Sequence, residues 1–515
     1  MPPLQRLLSL ALVLASACVP GATTSPPAVA VTEIFAAGEK NERGFSVFGY
    51  RIPGFVSANN GSTLVVLAEA RKYSCSDEGA HDLVAKRSTD HGRSWSPVQT
   101  VVDPAAVWGP QEGGRKGGAV YDPTPVYDES TGKIHVIFSF CPSRYMSRPL
   151  ISQAFQLWEV TSGDLGLHWS APRNLSSLLP GDGEAAWCQR TGGGGGNGIQ
   201  LAHGPKAGRL VVPGYHSFCK APPPSPPDPS CSAAKAQKVA DAWCNSPDGA
   251  LGAGCNAKPG PLVARRSGSK GSQLPAWRCY SPSCLTPDQQ RYRNGSGCIE
   301  YCTEVEALEH IMSSCAAPGG HVPGESMSHV LTSDGTDAQG QRAWQLGGSF
   351  LRGSGEGSVA EVGPNTPGEL LFVARRTSAT HCTGPAVAHC VGAIRSADSG
   401  DQWDSATARD VGALLDPACK NTVAAVGAPP PAAAGRPNLL VHAGTHSSSA
   451  RTNVSAIFSR DGGISWLEED AVMIWAAPLI GGYVAVQPLG PTQVGVVFEN
   501  RTCSVAIGVF DAPLQ

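Results

Sequence analysis

Charge is what this 515-residue chain has least of: charged residues make up 16%, against about 25% in ordinary soluble domains. Neither sign dominates. Lys+Arg 39 against Asp+Glu 42 leaves a net charge of −3, which argues against a nucleic-acid binder. No heptad repeat runs through the chain, and long helix-forming stretches are scarce, so a coiled coil or helical bundle is excluded. Past the N-terminus no apolar run reaches the roughly 18 residues of a membrane helix, so no transmembrane segment is expected. No CxxC pair has a matching second half, which argues against a zinc site. Gly 61 and Pro 43 make the chain turn-rich, yet they stay below the roughly 25–30% that marks low-complexity disorder.

What is present begins at the N-terminus. Arg6 precedes the apolar run Leu7–Val19, and Ala15-Ser16-Ala17 offers small residues for cleavage. Residues 1–22 read as a signal peptide, too short to span a membrane. The expected location is secreted, or the lumen of the endomembrane or lysosomal system. Setting Cys18 aside, 16 of the 17 cysteines remain, an even number that should mostly pair in an oxidising compartment. Eight lie between Cys231 and Cys315 and should pair among themselves. Sequons at Asn60, Asn174, Asn294, Asn453 and Asn500 fit a secreted glycoprotein.

The pattern S-x-D-x-G-x-x-W occurs four times, starting at Ser88, Ser162, Ser396 and Ser459. Each copy follows a strand-like run. The pattern makes a hairpin turn in which Asp accepts backbone N–H bonds, Gly takes positive φ and Trp folds back over the hairpin. These Asp residues are therefore structural. A degenerate copy runs from Ser333-Asp334 to Trp344. The long interval contains a stretch, 219–322, that opens near Ala221-Pro222-Pro223-Pro224 and holds the eight clustered cysteines. It reads as a Cys-rich, disulfide-stapled insertion with helix-like pieces at Ala233–Trp243 and Thr303–Met312. Without it the repeat is about 67 residues, which gives about six antiparallel units. The fold class is all-β, a six-bladed β-propeller over 31–218 and 323–515. Strands are expected at Thr63–Ala70, Lys133–Phe140, Arg209–His216, Glu369–Arg376, Asn438–Ala443, Gln493–Glu499 and Ser504–Phe510.

Tyr50-Arg51-Ile52-Pro53, ahead of the repeated boxes, resembles the sialidase family of exo-α-sialidases and trans-sialidases. The resemblance covers about 31–218 and 323–515. It implies that Arg51 is the first arginine binding the substrate carboxylate. The pattern R-x5-D-x4-D falls on Arg71, Asp77 and Asp82, which implies a sugar-contacting Arg71 and Asp77 as general acid and base. Asp122-Pro123-Thr124 resembles a pocket segment with Asp122 facing substrate. Gly355-Glu356-Gly357-Ser358-Val359-Ala360-Glu361-Val362 places the catalytic glutamate at Glu356. Arg375 and Arg451 match the second and third arginines, Gly482-Tyr483 the nucleophilic Tyr483, and Val497-Phe498-Glu499 the glutamate that orients Arg51. Gln200 is a further pocket residue by this resemblance. The chain departs from the family at Gly355, where Asn is usual, and at Gly482-Tyr483-Val484, where Ala-Tyr-Ser is usual. His81, His216 and His329 read as hydrogen-bonded structural residues.

The chemistry explains these residue types. An α-carboxylated sugar is held by guanidinium groups through charge-assisted, partly bidentate bonds. A carboxylate nucleophile would be repelled by that substrate, whereas a phenol is neutral until it attacks. With a pKa of about 10 it needs a base beside it. The resemblance thus implies a retaining exo-glycosidase acting on sialylated glycans of glycoproteins, glycolipids or oligosaccharides, with no cofactor and no metal. Two alternatives share the architecture: a trans-sialidase, and a non-catalytic sialoglycan-binding propeller. Retention of Asp77, Glu356 and Tyr483 together argues against the second, since a lectin needs only the arginines.

Overall fold

The computed structural model describes residues 29–72, 75, 77, 80–108, 118–141, 155–180, 187–191, 196–220, 275–278, 299–303, 322–377, 390–427, 437–479, 481–500 and 503–513. The molecule is all-β and propeller-like. Short runs of Val, Leu, Ile and Ala, bounded by Gly turns, form antiparallel meanders because each strand can bury both faces between neighbouring sheets. Thr63–Arg71 is buried along its whole length. Outer strands such as Asp404–Leu415 are mostly exposed or half-buried.

The sheets follow one another along the chain. An eight-stranded sheet consists of two meanders, which start at Gly49–Ala58 and Ala119–Asp128 and are joined by the single parallel pairing His81 to Ala119. Then come a sheet with Leu210–Lys220 and Val322–Ser333 at its centre, one starting at Ser354–Glu361, one starting at Thr422–Val426, and a last one starting at Val484–Pro488. The last sheet is completed by the chain's first described strand. Ala30–Phe35 pairs with Val505–Asp511 in the register Ala30 to Val509.

Apolar clusters fill the seams. Val65 and Leu67 pack with Val136 and Phe138, Ile137 and Leu157 with Val212 and Leu331, and Val211 and Val330 with Val359 and Phe372. Val373 and Val391 pack with Leu440 and Ile457, and Val441 and Phe458 with Val486 and Val496. A further cluster joins Phe55 and Val66 of the first meander to Val497 and Ile507 of the last, which closes the ring. Burial on this scale, at roughly 25 cal/mol per Å² of apolar surface, is what holds successive sheets face to face.

The four S-x-D-x-G-x-x-W turns share one hydrogen-bond plan. Ser88 Oγ donates to Asp90 at 2.7 Å and accepts from Gly92 N at 2.9 Å, while Asp90 accepts from Ser94 N at 2.9 Å. The same bonds recur from Ser162, Ser396 and Ser459. Their glycines have φ between +80° and +89°, a region that costs other residues strain. The degenerate copy departs from this plan. Asp334 turns to Arg209, and Asp337 instead accepts the turn's N–H groups from Gln339 and Gln341.

The expected strands form, with ends shifted by a few residues at most; Arg209–His216, for example, becomes Leu210–Lys220. Residues 1–22 and the helix-like pieces of the insertion lie outside the described residues, apart from Thr303, which ends a strand. Within 219–322 the described residues include the strand pair Pro275–Arg278 and Ile299–Thr303. Cysteine pairing is realised for Cys75–Cys503 and for Cys390. It fails at Cys419, a buried thiol.

Candidate active site

The candidate residues gather where the innermost strands of the meanders begin. These strands are irregular there. Register shifts fall between Arg51 and Gly54, between Tyr121 and Thr124, and between Ser354 and Gly357. Ile52 and Asp122 occupy matching positions in successive meanders, and both have φ of 53°. Bulges of this kind re-aim side chains and concentrate at functional sites.

Arg51 is buried and bound on two sides. Its Nε donates to Glu499 Oε1 at 3.1 Å and its Nη1 to Asp77 Oδ1 at 2.8 Å. Glu499, 1% exposed, also accepts from Ile52 N at 2.7 Å and from Tyr483 N at 3.3 Å. One carboxylate thereby fixes both the Arg51 bulge and the backbone of Tyr483. Arg71 donates from Nη1 to the same Asp77 oxygen at 2.7 Å, and from Nε and Nη2 to Glu69 at 3.2 and 2.8 Å. Burial works to raise the affinity of Asp77 for its proton, but Arg71 and Arg51 outweigh it and hold the carboxyl well below the usual range. Its side chain is 59% exposed, at the mouth of the site.

On the far side, Tyr483 donates its hydroxyl to Glu356 Oε1 at 2.7 Å. Arg375 donates to the Tyr483 hydroxyl at 2.9 Å and pairs with Glu356 Oε2 at 2.5 Å. Burial, with Glu356 beside it, pushes the phenol well above its ordinary pKa despite Arg375 and Arg51. The proton stays on oxygen until a base removes it. The third arginine, Arg451, donates to the carbonyls of Gly481 at 2.8 Å and Ala418 at 3.3 Å. The guanidinium carbons of Arg51, Arg375 and Arg451 lie 5.3, 5.9 and 5.5 Å from the centre of the Tyr483 ring. Three cations from three sheets thus surround one phenol.

Asp122 is buried, and its backbone N–H reaches Glu69 Oε1 at 3.0 Å. Burial, then Glu69 and Glu356, raise its carboxyl well above the usual range. The structure thus brings Arg51, Arg71, Asp77, Asp122, Glu356, Arg375, Arg451, Tyr483 and Glu499 into one connected set. Gln200 does not join it. Its amide is spent on Asp128, Gly208 and the backbone of Glu129, at the opposite end of the inner strands. His216 and His329 bond each other at 3.0 Å, and burial lowers them to about 2 and about 3. The expectation of a hydrogen-bonded histidine holds for these two and fails at His81, which burial keeps neutral and whose ring nitrogens have no hydrogen-bond partner among the described residues; it packs edge-on against Tyr121 instead.

The two departures flagged in the sequence have physical reasons. A Cβ at Gly355 would lie 3.1 Å from Arg375 Nε and 3.0 Å from Thr377, so glycine here leaves Arg375 free to reach Glu356. Gly482 has φ of 73°, and a Cβ there would meet Cys419 Sγ and the Arg451 Cβ at 3.3 Å.

Several residues of the set escape sequence reasoning. Glu69 could have been found as a lone acid inside an otherwise apolar strand. Lys420 could not, because Asp416-Pro417-Ala418-Cys419-Lys420-Asn421 reads as a surface turn. The turn is instead buried and bound internally, Asp416 accepting from Cys419 N at 2.6 Å and from Asn421 at 2.8 Å. Lys420 Nζ donates to the Pro53 carbonyl at 2.8 Å, fastening the Arg51 bulge from below. Burial pulls it down to about 8, against Glu499, Glu356 and Asp122. Cys419, packed against Ile52 and Tyr483, is pushed up to about 12 by burial, which keeps it an unreactive thiol.

Comparison with known proteins points one way. Residues 62–232 match the family model described as a BNR repeat-like domain. Sialidase-2 of Rattus norvegicus is 30% identical over 176 residues, which is 33% of this chain and 43% of that protein. The chain therefore spans less than half the length of that relative. The exo-alpha-sialidase of Arthroderma benhamiae is 28% identical over 302 residues, 52% of this chain and 68% of that protein. Among solved structures, a Hadza microbial sialidase superposes with a TM-score of 0.58 at 18% identity, covering 93% of this chain and 68% of that one.

Proposed function

This chain belongs to the sialidase family, and we propose that it is an exo-α-sialidase that removes terminal sialic acid from glycans with retention of configuration. The observation that carries this reading is the Tyr483 hydroxyl, 2.7 Å from Glu356 and ringed by three guanidinium groups. A neutral nucleophile with a carboxylate base, inside a cationic cage, suits an anionic substrate. We read the six meanders as blades of one propeller, with 219–322 as an insertion in its third blade. We also propose that the chain acts outside the cell or in the endomembrane lumen.

Each step uses groups already placed. The substrate carboxylate accepts bonds from Arg51, Arg375 and Arg451, and in doing so competes with Asp77 for Arg51. Glu356 takes the phenolic proton as the Tyr483 oxygen attacks the anomeric carbon. With Arg51 drawn to the substrate carboxylate, Asp77 takes up a proton from solvent; it then passes that proton to the leaving oxygen, and the glycan departs as an alcohol. Asp77, now a carboxylate, then takes a proton from water as its oxygen attacks the same carbon, and Tyr483 leaves and recovers its proton from Glu356. Asp122 and Arg71 line the sugar side of the site. The test is turnover of a fluorogenic sialoside by purified protein, with and without a galactoside acceptor. Free sialic acid in both conditions supports the reading; product found mainly on the acceptor assigns a transferase, and no turnover with retained sialoside binding assigns a lectin.

A further inference from the structure

One covalent bond lies beside this machinery without entering the steps above. Cys75 and Cys503 are joined across 428 residues. Cys75 stands two residues before Asp77. Its carbonyl accepts from Arg71 Nη1 at 2.7 Å, the same nitrogen that holds Asp77 at 2.7 Å. Cys503 is buried, four residues after Glu499, and its carbonyl accepts from Tyr50 N at 2.7 Å, immediately before Arg51. A Cβ at Gly49 would collide with Cys503 Sγ and lie 2.9 Å from its carbonyl oxygen. The residue that opens the Arg51 strand is thus reduced to glycine where the disulfide passes over it.

The other reacting groups stand on buried strand ends. Glu356 and Tyr483 are 4% and 6% exposed, whereas Asp77 is 59% exposed. Packing therefore does little to place Asp77. Its bonds to Arg51 and Arg71 hold it in the free protein, but the substrate carboxylate competes for Arg51. At that moment the covalent link through Cys75 remains, beside the Arg71 bond at 2.7 Å and the Tyr121 hydroxyl on the Asp77 carbonyl at 3.2 Å, and it alone ties the Asp77 loop to the strand ends carrying Arg51 and Glu499.

We propose that the Cys75–Cys503 disulfide is a positioning device for the acid/base Asp77, tethering it to the strand ends that carry Arg51 and Glu499 so that proton delivery to the leaving oxygen depends on this bond while carboxylate binding and nucleophilic attack do not. The proposal rests on the sialidase reading. General acid catalysis contributes about 10²–10⁴-fold, and a displacement of about 1 Å can forfeit 10²-fold.

The test compares two substrates on the parent and on Cys75→Ala/Cys503→Ala. Sialyllactose needs its leaving sugar protonated; an aryl sialoside with an acidic phenol does not. The double variant is expected to lose about 30–100-fold in kcat/KM on sialyllactose and under about fivefold in kcat/KM on the aryl sialoside, because kcat/KM ends at departure of the leaving group and leaves out the later attack of water, in which Asp77 is the base. An equal loss on both substrates, or no loss on either, overturns the proposal. A parent that hydrolyses neither substrate overturns the sialidase reading and this proposal with it. If the double variant does not fold, the same pair is read on folded parent after dithiothreitol. The reagent is oxidised to its cyclic disulfide as the protein disulfide takes up two electrons and two protons. Alkylation with mass mapping locates the Cys75 thiol, and a thermal melt confirms the fold. A selective, reoxidation-reversible loss on sialyllactose supports the proposal, and unchanged selectivity overturns it.

Discussion

Glu499 joins two halves of the site, so its removal should register in both stability and binding. It accepts from Arg51 Nε, Ile52 N and Tyr483 N, and it is 1% exposed. Glu499→Ala strands all three donors. Breaking one side of a buried ion pair costs about 3–5 kcal/mol, and each orphaned buried N–H about 1–3 kcal/mol. Against a total stability of about 5–15 kcal/mol, this variant is expected to express poorly. Glu499→Gln is the informative change. Its single acceptor oxygen can still serve Ile52 N and Arg51 Nε, but its NH₂ then faces Tyr483 N, donor against donor. The expected loss is about 1–3 kcal/mol, read as a lower urea midpoint at unchanged slope. Once substrate draws Arg51 away from Asp77, no carboxylate remains behind the guanidinium. KM for a fluorogenic sialoside should rise about tenfold, equivalent to about 1.4 kcal/mol, with kcat changing less. A Glu499→Gln protein with parental KM and midpoint would refute the reasoning.

Three further expectations follow from the same geometry. Tyr483→Phe removes the attacking oxygen and keeps the ring; covalent trapping by a fluorinated sialoside should vanish and turnover fall by about 10³-fold or more, with ligand binding kept, and labelling at the parental rate would reassign the nucleophile. Lys420 binds its proton less tightly folded, at about 8, than unfolded, at 10.5. Unfolding therefore takes up a proton between those values, and this group adds stability as pH rises through that window; denaturant midpoints against pH should show the rise, and Lys420→Met should flatten it. Ser88→Ala deletes one acceptor and one donor from a turn outside the candidate site and should cost about 1–2 kcal/mol in urea unfolding at parental kcat, a changed kcat being the contrary result.

The fold was legible because its signals are local. Four turns sharing one pattern declare a repeat, and their hydrogen bonds are made within six residues. The third repeat was legible only by spacing, since Asp334 has been drawn away by Arg209. Arg51, Asp77 and Tyr483 were found through resemblance, which carries residue identities but not their partners. Glu69 and Lys420 were missed for the opposite reason. Their importance lies in contacts across the ring, such as Lys420 to Pro53 over 367 residues, and nothing in the neighbouring sequence records such a pairing. Cys419 was misread as a disulfide partner because counting cysteines ignores burial; it stays a free thiol packed against Ile52 and Tyr483.

Ala30–Phe35 completes the sheet whose other strands end the chain. During synthesis the first strand must therefore wait, unpaired, until the last hairpin has left the ribosome. Contacts this distant in sequence form late and slowly. The same seam separates Arg51, in the first meander, from Tyr483 and Glu499, in the last. No intermediate short of closure can bring the clamp, the phenol and the shared carboxylate together, so on the proposed function newly made chains gain activity only when the ring shuts. In a refolding experiment, the return of activity is a clock for that final event, trailing the recovery of β-structure by the time closure takes.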